Sequence, residues 1–587
     1  MNIQEADILK SLLNEPFTSQ RVLAESTGHS LGVVNRSLKR LIECGYVDEQ
    51  MRLTALAEQT IRDLAPRNAI ILAAGPGMRM VPINHSSPKG LLEVKGERLI
   101  ERLIAQLHAA GVTDITVVVG FMKDHFEYLM DEYGVDLVVN EDYSQRNNLH
   151  SLSLVADRLR NTYVLPCDIW CGCNPFSPAE LYSWYMVSDR MEEASSVRVN
   201  RKRELLSVRE NAAGNAMIGI AYLSEKEAEI VRERLKALDD DEHAHCFWET
   251  ALYGRDRMIL PAKVVSGSNV VEINSYEQLR ELDAGSGQLK SAAMQTIAAA
   301  LGCSEQDIVD IRVLKKGMTN RSFLFRLKKG HAGQQYIMRI PGEGTDRLIN
   351  RRQEAEVYRT ISGCGLCDDP IYINPENGYK ITKYLEGVRV CDSGSEADVE
   401  KCMKKLRAFH ELRLSVPHTF DIFGQIAFYE ALWDGDPSVF RDYEKTKDAV
   451  LGLRPFIDSL EKDWCLTHID AVPDNFLFYP LPDGTEGLQL TDWEYAGMQD
   501  PHVDIAMFCV YSLYSKAQCD RLIDIFFEGA CGRQTRAKIY CYIAACGLLW
   551  SNWCEYKRKL GVEFGEYSLR QYRYAKDFSR YARELIG

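Results

Sequence analysis

The sequence has no apolar run near the roughly 18 residues that a membrane-crossing helix needs, no internal repeat and no low-complexity tract. No basic-then-apolar layout opens it. The first residues, MNIQEADILK, are acidic, so neither a signal peptide nor membrane insertion is expected and the chain should remain in the cytoplasm. Positive charge is not in excess. A net charge of −14 excludes a nucleic-acid coat as the role of the whole chain, while a local basic face stays open. Zinc-site spacing is also missing: Cys364 and Cys367 form a CxxC without a second pair, and His243, His245 and Cys246 stand alone. The 17 cysteines therefore read as small buried hydrophobes of a reducing compartment. What is present is 46% apolar and 26% charged residues, the mixture of a globular protein. A length of 587 residues exceeds what one core serves.

Three segments emerge. Residues 1–66 place apolar residues at helical spacing in Ile8, Leu9, Leu12 and Leu13, then Val22 and Leu23. A turn, Thr27-Gly28-His29-Ser30, precedes a third helix over Leu31 to Ile42, and two short extended pieces follow. This order resembles a winged helix-turn-helix. Arg36, Lys39 and Arg40 on the third helix suit DNA phosphates. Yet the segment holds seven basic and nine acidic residues, so a docking or dimerisation module is an equal expectation. Residues 67–284 alternate strand and helix: strands at 69–72, 115–119 and 137–139, helices at 98–110 and 125–132. Such alternation predicts an α/β sheet of parallel strands. Residues 283–288, Asp-Ala-Gly-Ser-Gly-Gln, predict a flexible linker. Residues 285–587 begin strand-rich and end helical, as a two-lobed α+β domain does.

After the strand at 69–72 comes Ala73-Ala74-Gly75-Pro76-Gly77-Met78-Arg79, then Pro88-Lys89. A glycine turn at a strand's carboxyl end lets backbone N–H groups reach a triphosphate; Gly75 and Gly77 supply it, and Arg79 and Lys89 add cations. Further on stand Val164-Leu165-Pro166-Cys167-Asp168 and Val271-Glu272-Ile273-Asn274-Ser275. Together these motifs resemble the nucleotidyltransferases that make sugar nucleotides and CDP-alcohols, over about 68–283. The resemblance implies a Rossmann-like mixed sheet with Asp168 and Glu272 holding Mg²⁺. Asn274 replaces that family's usual acid, which makes any ligand there neutral or absent. Arg146-Asn147-Asn148-Leu149-His150-Ser151 resembles a segment of bacterial CTP:phosphocholine cytidylyltransferases. Asn147 and Asn148 would read a cytosine edge or a substrate phosphate. Trp248, Glu249 and Tyr253 suit a cage for a quaternary ammonium, though aromatics of this kind are more often core.

Near the carboxyl end stands Leu466-Thr467-His468-Ile469-Asp470-Ala471-Val472-Pro473-Asp474-Asn475, then Leu490-Thr491-Asp492-Trp493-Glu494-Tyr495. An acid is needed to take the acceptor hydroxyl's proton, which suits Asp470; Asn475 and Asp492 are hard oxygen ligands for Mg²⁺. The pattern resembles protein-kinase-like phosphotransferases. Upstream, Gly317 and Asn320 fit a phosphate-covering turn, and Arg339 stands where protein kinases carry lysine, with Glu354 as its ion-pair partner. Arginine there, followed by Ile-Pro-Gly, resembles choline kinases over about 290–587. That resemblance implies a carboxylate and aromatic rings around a trimethylammonium group: Glu494, Tyr495, Trp550 and Trp553, with Tyr567 as a looser candidate. Trp550 and Trp553, three apart, share a helix face.

The two resemblances form a sequence of reactions. Choline and ATP would give phosphocholine, and phosphocholine and CTP would give CDP-choline and pyrophosphate. The alternatives are ethanolamine or another amino alcohol as acceptor, a sugar kinase fused to a sugar nucleotidyltransferase, and a transcriptional regulator with degenerate enzyme domains.

Overall fold

The computed structural model describes the chain except residues 76–79, 81–87, 194, 209–211, 287–288, 315–319, 329–333, 343–347, 368 and 560–563. Gly77, Arg79 and Gly317 thus lie outside the described residues. The chain divides into two compact units, Met1–Met294 and Gln295–Gly587. No described helix is long and apolar enough to cross a membrane.

In the first unit, helices Ile3–Asn14, Gln20–Thr27 and Leu31–Glu43 follow the predicted order, with a fourth at Ala55–Asp63. Each start has a local cause. Asn2 and Glu5 close a capping box, and Ser19 and Thr54 accept from backbone N–H groups of their own first turns. Gly28, at φ 68°, ends the second helix in the left-handed region and sets the turn. Val47 and Leu53 bridge as a minimal wing. The helical core also takes in Ala179 and Leu181 of the next segment. Around it, Lys10 pairs with Glu180 at 2.9 Å, and Asp7 receives His29, Tyr182 and Arg203, each at 2.9 Å. The winged helix is therefore built into the nucleotidyltransferase-like segment.

Nine strands form the main sheet, in the order Asp136–Val139, Asp114–Val119, Asn68–Ala73, Thr162–Pro166, Gly214–Leu223, Trp184–Glu192, Arg257–Val265, Glu204–Ser207, Val197–Val199. The first four run parallel, but Gly214–Leu223 is antiparallel to both its neighbours, so the sheet is mixed. The alternation that predicts parallel strands ends after Asp168, where Trp184–Glu192, Val197–Val199, Glu204–Ser207 and Gly214–Leu223 follow one another without an intervening helix among the described residues. The predicted linker is fastened to this unit. Lys95 N–H donates to Asp283 at 2.6 Å, Ser286 to the Glu93 carbonyl at 3.1 Å, and Tyr276 to the Leu289 carbonyl at 3.1 Å.

The second unit has a five-stranded antiparallel sheet, Ile308–Val313, Asn320–Leu327, Gln335–Pro341, Lys380–Lys383, Tyr372–Ile373, with helix Arg351–Ile361. A helical part follows, cored by His502–Tyr511 and the long pair Arg533–Lys559 and Glu566–Ile586.

Candidate active sites

In the first unit the carboxyl ends of the four parallel strands lie side by side, the edge at which open α/β sheets bind ligands. Asp168 follows the strand Thr162–Pro166. The two-stranded sheet of Ile169–Cys171 with Val270–Glu272 brings Glu272 beside it, and Ile273 N–H donates to the Asp168 carbonyl at 2.9 Å. Lys89 Nζ bonds Asp168 Oδ2 and donates to Asn274 Oδ1 at 2.7 Å. Lys89 is thus tied to the carboxylate cluster rather than presented alone to a leaving group. Burial raises the Glu272 carboxyl, and the Asp168 charge adds to it. Asp168 Oδ1 is buried without a hydrogen-bond partner among the described residues. Two carboxylates against one lysine, with an orphaned oxygen, fit a divalent cation. Gly75 closes the strand Asn68–Ala73 at the same edge.

Asn147 and Asn148 are otherwise engaged. Asn147 donates to the His245 carbonyl at 3.2 Å, and Asn148 Oδ1 accepts from Trp248 N–H at 2.8 Å. Both side chains brace the segment leading to Trp248. Trp248 itself is 1% exposed, 6.1 Å from the Tyr185 ring in the core, so it forms no open cage wall. Tyr253 stays half-buried, its hydroxyl 2.5 Å from that of Ser196.

In the second unit, the spacing of Asn475 and Asp492 has a simple cause. They flank a hairpin, Phe476–Pro480 with Glu486–Leu490, whose pairing Phe476↔Leu490 returns the chain to its start. Asn475 Nδ2 donates to Asp470 Oδ2 at 3.0 Å and to the Asp470 carbonyl at 2.8 Å. Buried Asp504 accepts the N–H groups of His468 and Ile469, at 3.1 and 2.7 Å, and fixes the loop. Ile469 and Asp492 hold φ of 71° and 65°, a conformation unfavourable for side chains with a β-carbon and often kept at working sites. Burial pushes the Asp470 carboxyl up to about 8, with Asp492 and Glu494 adding to it. This acid excess, with the Asn475 amide beside it, suits a divalent cation on Asn475 and Asp492.

Arg339 grips Glu354 with two bonds of 2.5 and 2.8 Å, and Arg351 and Lys380 reach the same carboxylate at 3.1 and 3.7 Å. Burial alone would raise Glu354, but Lys380, Arg339 and Arg351 bring it down to about 2. Glu494 belongs to this network: Asn320 donates to it at 3.1 Å and Arg351 lies at 3.3 Å. Glu494, expected beside the tryptophans, is thus also tied to the strand-rich lobe. Trp550 and Trp553 do meet, edge to face at 5.4 Å. From them rings continue through Phe564, Tyr567 and Tyr511 at 5.0, 6.4 and 6.2 Å, and Tyr511 donates to Asp474 at 2.6 Å. Tyr429, Tyr495, Tyr511 and Tyr567 all lie near enough to feel the Asp470 charge. Aromatic faces thus lead to the acid from the helical side.

Over 220 residues, 37% of this chain and 96% of its relative, the sequence is 32% identical to the choline-phosphate cytidylyltransferase of Streptococcus pneumoniae. The chain belongs to the choline-phosphate cytidylyltransferase family. A family model described as MobA-like NTP transferase domain matches residues 69–190 of it. Within reach of the same family, the 2-aminoethylphosphonate cytidylyltransferase of Lancefieldella rimae is 30% identical over 235 residues, 37% of this chain and 92% of that protein. The second unit is a choline-kinase-like domain: the choline/ethanolamine kinase model matches residues 311–524. Protein LicA of Haemophilus influenzae is 27% identical over 271 residues, 43% of this chain and 76% of that protein. A winged helix-turn-helix DNA-binding model matches residues 1–48. This family member therefore combines two enzyme domains.

Sequence reasoning missed Arg351, Lys380, Tyr429, Asp504 and Tyr511. None sits in a motif; each reaches its site from a separate element, and no local spacing announces it.

Proposed function

We propose that residues 285–587 phosphorylate choline with ATP and that residues 67–284 join phosphocholine to CTP, giving CDP-choline and pyrophosphate in the cytoplasm. The observation that carries this reading is the half-buried Asp470, bonded by Asn475 and approached by a file of aromatic rings ending at Tyr511 and Asp474. Ring faces and a carboxylate suit a trimethylammonium group, which cannot donate N–H hydrogen bonds. Asp470 takes the proton of the choline hydroxyl as its oxygen forms a bond to the γ-phosphorus, and ADP leaves with the electron pair. In the other domain a phosphocholine oxygen attacks the α-phosphorus of CTP, and the bond to the leaving pyrophosphate breaks. Asn475 with Asp492, and Asp168 with Glu272, are the groups that would hold Mg²⁺, which supplies charge stabilisation to the phosphoryl oxygens. Incubation of the chain with choline, ATP, CTP and Mg²⁺ should yield CDP-choline. Product from supplied phosphocholine but none from choline would sink the kinase half of the proposal.

A second role is supported by one observation. Arg36 and Lys39 are exposed on helix Leu31–Glu43 and form no ion pair among the described residues, whereas Arg40 is paired with Glu5 at 3.2 Å. We infer that this face contacts DNA phosphates. Mobility-shift assays with the protein's own promoter, at several salt concentrations, test it; binding unaffected by Arg36→Ala and Lys39→Ala together would count against it.

A further inference from the structure

We propose that a hairpin of the nucleotidyltransferase domain, Val197–Val199 with Glu204–Ser207, is a second DNA-contacting element, its tip residues Arg201 and Lys202 binding backbone phosphates beside the winged helix. The assignment rests on the DNA reading of helix Leu31–Glu43 above and extends it to a segment outside the helix-turn-helix. In a chain of net charge −14, residues 197–207 carry four basic side chains, Arg198, Arg201, Lys202 and Arg203, against one acid, Glu204. That acid is taken by Arg257 at 2.5 Å. Arg198, Arg201 and Lys202 are exposed and form no ion pair among the described residues. Unpaired cations gathered on one short hairpin of an acidic protein are suited to a polyanion.

What makes that polyanion DNA is where the tip is held. Asn200 Oδ1 accepts from the N–H groups of Lys202 and Glu204 at 2.8 and 3.0 Å, and the Arg203 carbonyl accepts from Ala262 N–H at 2.7 Å. The Arg203 guanidinium then donates to Asp7 Oδ2 at 2.9 Å, and the same oxygen bonds His29 Nε2 at 2.9 Å. One carboxylate oxygen thus joins the hairpin tip to the turn at 27–30, which opens helix Leu31–Glu43. The amino-terminal part of a recognition helix is the part that meets base edges in the major groove. Arg201 and Lys202 therefore stand at the groove end of that helix. Lys39 lies ~14 Å farther along it at ~1.5 Å per residue, comparable with the ~12 Å width of the major groove. The ion pair of Lys10 with Glu180 and the apolar contact of Ala179 and Leu181 keep the two cationic sets at a fixed separation, so little freedom is lost on binding.

The test uses the full chain with two duplexes of equal length, one carrying the protein's own promoter and one scrambled. Binding is read by fluorescence anisotropy between about 50 and 200 mM KCl. Arg201→Ala combined with Lys202→Ala should weaken binding to both duplexes about ten-fold and lower the slope of log Kd against log salt by about 2. Arg201→Lys, which keeps the charge, should bind within about two-fold of wild type. CDP-choline formation from supplied phosphocholine should change by less than about two-fold in these variants. An unchanged salt slope in the double variant overturns the assignment. So does a loss confined to CDP-choline formation, which would make the tip an anion site of the enzyme. If Arg36→Ala with Lys39→Ala weakens binding and the tip variant does not, the DNA reading stands and the tip is excluded from it. A folded wild type that binds neither duplex overturns the DNA reading itself, and the assignment with it.

Discussion

The Glu354 network of the second unit and the carboxylates of the first unit handle charge in opposite ways. In the kinase-like unit Glu354 is surrounded by Arg339, Arg351 and Lys380, so its carboxyl falls to about 2. In the nucleotidyltransferase-like unit the described carboxylates Asp168, Glu272 and Glu249 outnumber the one lysine among them, Lys89, and burial pushes Glu249 up to about 7. The first arrangement is complete within the chain and holds its shape without ligand. The second is short of positive charge and is completed by what binds to it. A buried network closed by the protein's own cations is framework, whereas one left anionic is a receptor for cations.

The strongest way to separate the sites is to remove one acid from each. Asp470→Asn should lower phosphocholine formation about 100- to 10,000-fold and leave CTP-dependent conversion of supplied phosphocholine within about two-fold. Asp168→Asn should do the reverse. Parallel assays of both reactions on both variants check this, and a folded variant losing both activities would deny the sites their independence.

The charge contrast predicts a difference in stability next. Glu354→Gln leaves three buried cations short of a partner and should destabilise the second unit by about 3–5 kcal/mol, measured by denaturant unfolding. The pH dependence should have opposite sign for Glu354 and Glu249. A carboxyl lowered from 4.5 to about 2, as in Glu354, contributes stability that is complete above pH 4.5 and lost as pH falls toward 2. A carboxyl raised from 4.5 to about 7, as in Glu249, contributes stability that is complete below pH 4.5 and lost as pH rises through 7. Thermal unfolding between pH 4.5 and 7.5 should thus show a falling midpoint for the first unit, and a flatter profile in Glu249→Gln.

Asp7→Ala should come next in size. Loss of the shared acceptor for His29, Tyr182 and Arg203 should cost about 1–3 kcal/mol and make residues 1–66 exchange amide hydrogens faster than the sheet. Unchanged protection would mean that the apolar contact of Ala179 and Leu181 holds the winged helix by itself.

The smallest effect concerns the acceptor. Trp550→Ala should raise the choline KM about two- to ten-fold and narrow the preference over ethanolamine. Glu494→Gln should leave that preference where it was, since Glu494 faces Arg351 and Asn320. KM values for both amines in both variants decide between the two residues.

Motifs whose parts are close along the chain were legible in the sequence. The run from His468 to Asn475 is one loop, and Asp492 returns to it through a single hairpin, so spacing alone conveyed their association. Asp168 was legible as a strand end, and the winged helix as apolar stripes separated by a turn. Helical and strand periods are properties of neighbouring residues, which is why they survive without tertiary information. What a side chain faces depends instead on elements that meet from distant parts of the chain. Only the tertiary structure put Trp248 in the core, set Asn147 and Asn148 to bracing a loop, and turned Glu494 toward Arg351. It also fastened the winged helix to the sheet-bearing segment. The sequence determined which chemical groups the protein has and which local shapes carry them; burial and charge pairing between distant segments decided which of those groups remain open to a ligand.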